Sequence, residues 1–243
     1  MSPPSIDTAM VLAAGLGKRM RPITDTIPKP LVPVAGRTLL DWGLDKLAEG
    51  GVTRAVVNVH YLPDQIVAHV AKRERPAILI SDESAQLLDS AGGIVQALPL
   101  LGESPFFILN ADTFWIDRGR SNLDALALAW DPARMDIRLM LADFSSATGH
   151  SGGADFLLGA DGRLARAAGS PDGLIYAGAG IVHPRIFAGA PAGPHSLNRY
   201  FDAAIAQGRL FGMPMQGHWI TVGTPDAIPA AQEAVARAGV AVG

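Results

Sequence analysis

The 243 residues contain no cysteine. Disulfides and thiolate metal sites are therefore excluded. Charge is also scarce: Asp, Glu, Lys and Arg make up 18% of the chain, and the net charge is -3 with histidine neutral. No basic surface for nucleic acid is expected from that balance, so any nucleotide bound here should be a small molecule. Long apolar runs are missing as well. The stretch from Ala9 to Leu16 is too short to span a membrane, and Lys18, Arg19 and Arg21 follow at once. The opening residues MSPPSID lack a basic region followed by an apolar core, so no signal peptide, no membrane partner and a cytoplasmic location are expected. The six histidines show no metal-ligand spacing, and only His218, beside an expected active-site strand, is kept as a weak candidate. There is no internal repeat, linker or low-complexity tail.

What is present is apolar: 49% of the residues. A chain of this length and composition suits one large α/β domain, residues 1–243, whose sheet is covered on both faces so that its strands read as continuous apolar runs. The first half alternates such runs with helical patterns. Ala9–Ala14, Ala55–Val59, Ile78–Ile80 and Phe106–Asn110 read as strands. Leu39–Leu47, the segment opened by Pro63, and the run after Gly92-Gly93 read as helices. That rhythm means βαβ units and a mostly parallel sheet, with ligands beyond the carboxyl ends of the strands. In the second half, helices are expected over Leu123–Trp130 and Leu197–Ala206, and strands over Ile137–Ala142, Asp155–Leu158 and Leu174–Val182. Residues 145–153 read as a Ser/Gly loop. A last helix runs through Ala227–Ala238, with Thr224 as its cap and Pro225 at its first position.

The most informative text is Leu12-Ala-Ala-Gly-Leu-Gly-Lys-Arg-Met-Arg-Pro, followed by Pro28-Lys29-Pro30-Leu31 and Pro33-Val34-Ala35-Gly36. Gly15 and Gly17 allow close approach of the backbone to an anion, and Lys18, Arg19 and Arg21 cluster beside them. Backbone donors plus cations are what a triphosphate needs. An ordinary βα turn with surface cations explains the glycines alone. A dinucleotide-binding turn does not fit, because Pro22, Pro28 and Pro30 break the chain where a helix should follow. A P-loop does not fit either, since Arg19 follows Lys18 where Ser or Thr is required. The prolines around Lys29 stiffen it, and a rigid cation stabilises charge that develops in a transition state. Asp112, at the end of the apolar strand FFIL, is placed to ligate Mg²⁺ or, equally, to cap the next turn.

The segment LAAGLGKRMRPIT…PKPLVPVAG resembles the signature of the sugar-1-phosphate nucleotidyltransferases, and the likeness runs through nearly the whole chain. The resemblance implies a Rossmann-like, GT-A-like three-layer sandwich with a mostly parallel central sheet and a small sugar-facing lobe. It divides the chain into a nucleotide-binding part at about 7–118 and a sugar-binding part at about 119–243. It implies that Leu12, Ala13, Ala14, Gly15, Gly17 and Lys18 surround the nucleotide, that Arg19 steadies the leaving pyrophosphate and that Lys29 contacts the phosphates. Arg19, Lys29 and Asp112 are then the catalytic set. Glu83, Ala91 and Gly92 fall where relatives recognise the base, and Asn110, Asp155, Tyr176 and Gly178 where they meet the sugar. The glycines and alanines at 177–180 either leave room for the ligand or serve tight sheet packing.

Two departures stand out. Ala111 replaces a glycine before Asp112. In the C-terminal motif Trp-x-Asp-Val-Gly-Thr, the second metal-holding aspartate is replaced by Thr221. The cofactor is then Mg²⁺, or Mn²⁺ in its place, held by Asp112 and, directly or through water, by Thr221. VVNVHYLPDQI, LLDSAGGI, HPRIFAG and GHWITVGT are similar to the N-acetylmuramate-1-phosphate uridylyltransferases of bacterial cell-wall recycling, which implies UTP and that sugar 1-phosphate as substrates. Mannose-1-phosphate guanylyltransferase-like enzymes are the runner-up, and Thr221 leaves open a nucleotide-sugar-binding regulator with little turnover. No hexapeptide repeat occurs, so a bifunctional acetyltransferase is not expected. A monomer or small homo-oligomer is expected.

Overall fold

The computed structural model describes residues 6–240. The opening MSPPS, on which the reading of no signal peptide rests, lies outside the described residues.

β1 (Thr8–Leu12) enters a long loop ribbed by three 3₁₀ turns, Lys18–Met20, Ile23–Asp25 and Lys29–Leu31. A small hairpin, β2 (Pro33–Val34) and β3 (Arg37–Thr38), leads to α1 (Leu39–Glu49), where Thr38 caps the helix by accepting from Asp41 N at 3.1 Å. Then come β4 (Arg54–Val59), α2 (Pro63–Val70), β5 (Ala77–Asp82), α3 (Asp89–Leu101) and β6 (Phe106–Asn110). A reversal at 111–112 sends the chain into β7 (Thr113–Asp117) and α4 (Asn122–Leu128). The second half contributes β8 (Ile137–Ala142), β9 (Ala147–Thr148), β10 (Phe156–Leu158), β11 (Leu164–Arg166), β12 (Ile175–Val182), α5 (Asn198–Ala206), β13 (Leu210–Pro214), β14 (Gly217–Thr221) and α6 (Ala227–Arg237).

Seven strands form the central sheet in the order β13-β8-β12-β6-β1-β4-β5. Every neighbouring pair is parallel except the two made by β12, which runs against both β6 and β8. The expected mostly parallel sheet is therefore present. Both halves of the chain share it. Its two faces are equally dry. On one, Val11, Leu109 and Met140 pack under Leu44 of α1, Ile66 of α2 and Leu126 of α4. On the other, their strand neighbours Met10, Ile108 and Leu139 pack under Ile94 of α3 and Phe201 of α5. Successive strand residues point to opposite faces, so burial on both faces needs the unbroken apolar runs seen in the sequence.

A smaller sheet, β7-β14-β9, stands beside the central one. Phe114 and Ile220 of this sheet join α6, Trp42 of α1 and Met20 and Val32 of the Pro-ribbed loop in a third apolar cluster. Trp42 stacks on Phe114 with ring centroids 4.8 Å apart. This cluster seats the loop that carries Lys29.

Several expectations need correction. α3 begins at Asp89, three residues before Gly92. Its first amides are satisfied from outside: Ala91 N and Gly92 N both donate to His195 O, at 3.0 and 3.1 Å. Thr224 and Pro225 form a turn before α6, which starts at Ala227 with no side-chain cap. The Ser/Gly loop at 145–153 contains β9, because Ala147 and Thr148 find partners along β14. β2, β3, β7, β11 and β13 are also additional to the expected elements.

Candidate active site

Because β1, β4, β5 and β6 are parallel, their carboxyl ends share one edge. A cavity of about 340 Å³ opens there. Leu12, Ala13, Ala14 and Gly15 form one wall, Lys29 and Pro30 another, and Asn110, Ala111 and Asp112 a third. Asn58 and Glu83 close the floor, with Leu87, Asp89 and Ser90 at the mouth. The expected nucleotide loop and the expected acid thus face one another across a single pocket.

The Lys29 ammonium donates to Asp112 Oδ2 at 2.7 Å. The Lys29 side chain is only 12% exposed, against 36% for Asp112, so the cation is shielded while the carboxylate keeps an open side. The loop reaches this position by folding back over Gly17. That residue has φ 61°, and a Cβ there would lie 2.9 Å from Thr24 Cγ2 and 3.1 Å from Lys29 Cβ. Thr24 Oγ1 donates to Gly17 O at 2.8 Å and ties the fold-back. The role expected for Gly17, direct approach to an anion, therefore gives way to packing beneath Lys29. Gly15 lines the cavity and has open space where a side chain would be. Lys18 and Arg19 are exposed and make no ion pair among the described residues. The Arg19 guanidinium lies near Gly223, where a Cβ would be 3.8 Å from Nη1. Arg21 instead pairs with Asp25 at 3.1 Å.

Glu83 is 1% exposed, which removes the reading of a solvated acidic loop. Burial pushes its carboxyl above its ordinary value, against hydrogen bonds from Asn58 and Leu88 and the nearby His60 that pull it down. Asn58, missed by sequence reasoning, is 3% exposed and bonds both Glu83 and the nucleotide loop. Its signal was there: an amide inside the apolar run VVNV must have buried partners. Ala91 and Gly92 lie in the first turn of α3, buried, with their amides already donated to His195 O, and do not line the cavity. Leu87, Asp89 and Ser90 take that place.

On the other side of Asp112, β12 carries an irregularity between Tyr176 and Gly180. Gly178 has φ 75°, and a Cβ on it would lie 2.6 Å from Thr113 Oγ1 and 3.2 Å from Asn110 Cβ. Its smallness lets β12 press against the strand end that holds Asn110. Ala177 and Ala179 are fully buried and Gly180 faces Arg138 O, so tight packing explains most of this stretch. Asp155 Oδ2 accepts from Tyr176 N at 2.8 Å. Burial, then the carboxylates of Asp155 and Asp112, push the Tyr176 phenol above its ordinary value.

Thr221 ends β14 opposite Thr113, and Val222 N donates to Asp112 O at 3.1 Å. The C-terminal motif is thereby stitched to the Asp112 turn. Among the described residues no three acids, histidines or cysteines gather as a metal cluster. His218 sits on β14 away from the cavity, where Nε2 meets Thr148 Oγ1 at 2.8 Å and burial lowers its proton affinity. It leaves the candidate set.

Among the described residues no helix is long and apolar enough to cross a membrane. Residues 8–134 match the family model described as nucleotidyl transferase. The chain is 47% identical over 235 residues to an N-acetylmuramate alpha-1-phosphate uridylyltransferase of Caulobacter vibrioides, covering 95% of this chain and 97% of that one. It is 27% identical to a mannose-1-phosphate guanyltransferase beta-B of Xenopus laevis, covering 89% of this chain and 61% of that one, so the guanylyltransferase likeness is the more distant. The structure superposes on the inositol-1-phosphate CTP transferase of T. maritima with a TM-score of 0.79 at 18% identity, over 99% of this chain and 100% of that one. A family model spanning more than half of the chain and a relative nearly half identical along almost all of it establish that this chain belongs to the nucleotidyl transferase family.

Proposed function

We propose that the protein transfers UMP from UTP to N-acetylmuramic acid 1-phosphate, giving the UDP-sugar and pyrophosphate. The observation that carries this reading is the shielded Lys29 ammonium held against Asp112 in the wall of the pocket that the Leu12–Gly15 loop also lines. The choice of UTP and of this sugar rests on the likeness to the Caulobacter vibrioides enzyme.

A sugar-phosphate oxygen attacks the α-phosphorus of UTP in line. The bond from that phosphorus to the bridging oxygen breaks, and pyrophosphate leaves opposite. The sugar phosphate is already ionised at neutral pH, so no general base is needed. The residues have only to position and to neutralise charge. Lys29 meets charge growing on the phosphates, and Arg19, exposed beside Gly223, steadies the pyrophosphate. Leu12, Ala13, Ala14 and Gly15 line the nucleoside, and Asn110 and Gly178 bound the sugar side. Mg²⁺, with Mn²⁺ as a substitute, would supply further charge neutralisation on the triphosphate when bound. Asp112 fits that ion: it is a carboxylate with an open side in the pocket, and Mg²⁺ commonly takes one or two carboxylates, filling the rest with phosphate oxygens and water. Thr221 would reach it directly or through water. The setting that matches this reaction is the cytoplasm, within recycling of cell-wall sugars.

Missing one acid, the wild-type protein should need more Mg²⁺ than a two-carboxylate site. Thr221→Asp should lower the Mg²⁺ concentration giving half-maximal turnover by about tenfold. A Mg²⁺ titration of both proteins reads this directly, and an unchanged midpoint removes Thr221 from the site. Substrate choice is tested by kcat/KM for UTP and GTP, each with N-acetylmuramic acid 1-phosphate and mannose 1-phosphate. UTP with the former should be best. If GTP leads with every sugar phosphate, the uridylyltransferase reading is wrong and the guanylyltransferase reading replaces it.

A further inference from the structure

We propose that Asn58 and Glu83 are positioning residues that never touch the nucleotide base: together they lock the peptide group between Leu12 and Ala13 and tie it to the start of α3. The inference rests on the reading of the Leu12–Gly15 loop as the nucleotide site. It changes the part expected of Glu83.

Both polar atoms of that peptide group are engaged by protein. Leu12 O accepts from Ala111 N at 3.1 Å, next to Asp112. Ala13 N donates to Asn58 Oδ1 at 2.6 Å. The Asn58 amide has one available orientation, because Ala13 N–H only donates and the group on its other side is a carboxylate. Asn58 Nδ2 accordingly donates to Glu83 Oε1 at 2.6 Å. Glu83 Oε2 accepts from Leu88 N at 3.1 Å, at the residue before α3. The Glu83 backbone is held as well: its N donates to Val59 O at 2.8 Å, and its O faces His60 Nδ1 at 2.7 Å. Gly93 leaves the room for this chain of bonds, since a Cβ there would overlap Glu83 Oε1 and lie 2.8 Å from Asn58 Nδ2.

Each side-chain polar atom of the pair therefore has a partner within the protein, and both residues are almost wholly buried. A fully satisfied buried network rigidifies the segments it joins. Here those segments are the nucleotide loop, the Ala111–Asp112 turn and the mouth of the pocket at Leu87–Ser90. A base contact by Glu83 is not needed to explain a buried acid at this place. The donors left to a nucleotide on the loop are the amides beyond Ala13.

A polarity swap separates positioning from contact. Glu83→Gln leaves one acceptor for two donors, and Asn58→Asp sets two carboxylates against each other. In Asn58→Asp/Glu83→Gln, the new aspartate accepts from Ala13 N and from the new glutamine's amide, whose oxygen accepts from Leu88 N, so all three bonds return. Each single variant should raise KM for UTP and lower kcat, reducing kcat/KM by about tenfold or more, and the double variant should recover to within about threefold of wild type. A double variant as poor as Glu83→Gln means that Glu83 contacts the nucleotide itself and overturns the proposal. Single variants with wild-type kinetics overturn it too. Hydrogen exchange of the Ala13 amide in nucleotide-free wild type gives a second readout that needs neither turnover nor variants: protection is expected, and fast exchange contradicts the lock. Protection in a protein that never turns over UTP would leave the lock standing and fail the transferase reading alone.

Discussion

Replacing Asp112 by alanine should reduce kcat by about a thousandfold or more and flatten the response to Mg²⁺. The carboxylate is the one acid on its wall of the pocket, at the end of the buried strand Phe106–Asn110, and it is the partner of Lys29. Thr221, the neighbour across the Val222–Asp112 bond, is neutral, so no second charge takes over. Removing the carboxylate leaves the shielded Lys29 ammonium unpaired, which favours binding of the UTP triphosphate without metal even as turnover is lost. The expected pattern is thus a kcat defect with UTP affinity retained. Unchanged Mg²⁺ dependence in Asp112→Ala would remove this residue from the metal site.

Lys29→Ala should lower kcat by about a hundredfold or more, because the contact it makes grows with charge in the transition state. Stability should change little. The partner left behind, Asp112, is over a third exposed and returns to water, and such partly solvated pairs contribute about 1 kcal/mol or less. Thermal unfolding measured beside steady-state kinetics checks both halves. A melting temperature within a few degrees of wild type with turnover near wild type would sink the assignment of Lys29. A large loss of both would mean that the Pro-ribbed loop needs Lys29 to fold back.

Much of this was legible in the sequence. Runs such as MVL, AVV and FFIL are apolar at every position because both faces of the central sheet are covered, and that pattern needs no structure to read. The Gly15-to-Pro30 segment was legible for a different reason: its prolines exclude a dinucleotide-binding turn, and Arg19 after Lys18 excludes a P-loop. What the sequence did not show depends on contacts far apart in the chain. The first turn of α3 is satisfied by His195, over a hundred positions away, so local signals put the helix start at Gly92. Gly17 reads as a phosphate glycine until Thr24 and Lys29 are seen packed over it. Thr224-Pro225 has the letters of a cap but forms the turn before α6. The strand Thr113–Asp117 is defined by pairing with Gly217–Thr221, and no local pattern announces a partner a hundred residues later. Asn58 was the one miss with a readable signal, a lone amide in a buried strand.

The central claim is that this chain turns over and does more than bind. The most direct test follows phosphorus by NMR with purified protein, UTP, N-acetylmuramic acid 1-phosphate and excess Mg²⁺. The account predicts that UTP and the sugar phosphate disappear together while the UDP-sugar and pyrophosphate appear in equal amounts, and that omitting the sugar phosphate stops both. UTP bound by the protein but left intact, at every Mg²⁺ and Mn²⁺ concentration and with either sugar phosphate, would contradict it and leave a nucleotide-binding regulator in its place.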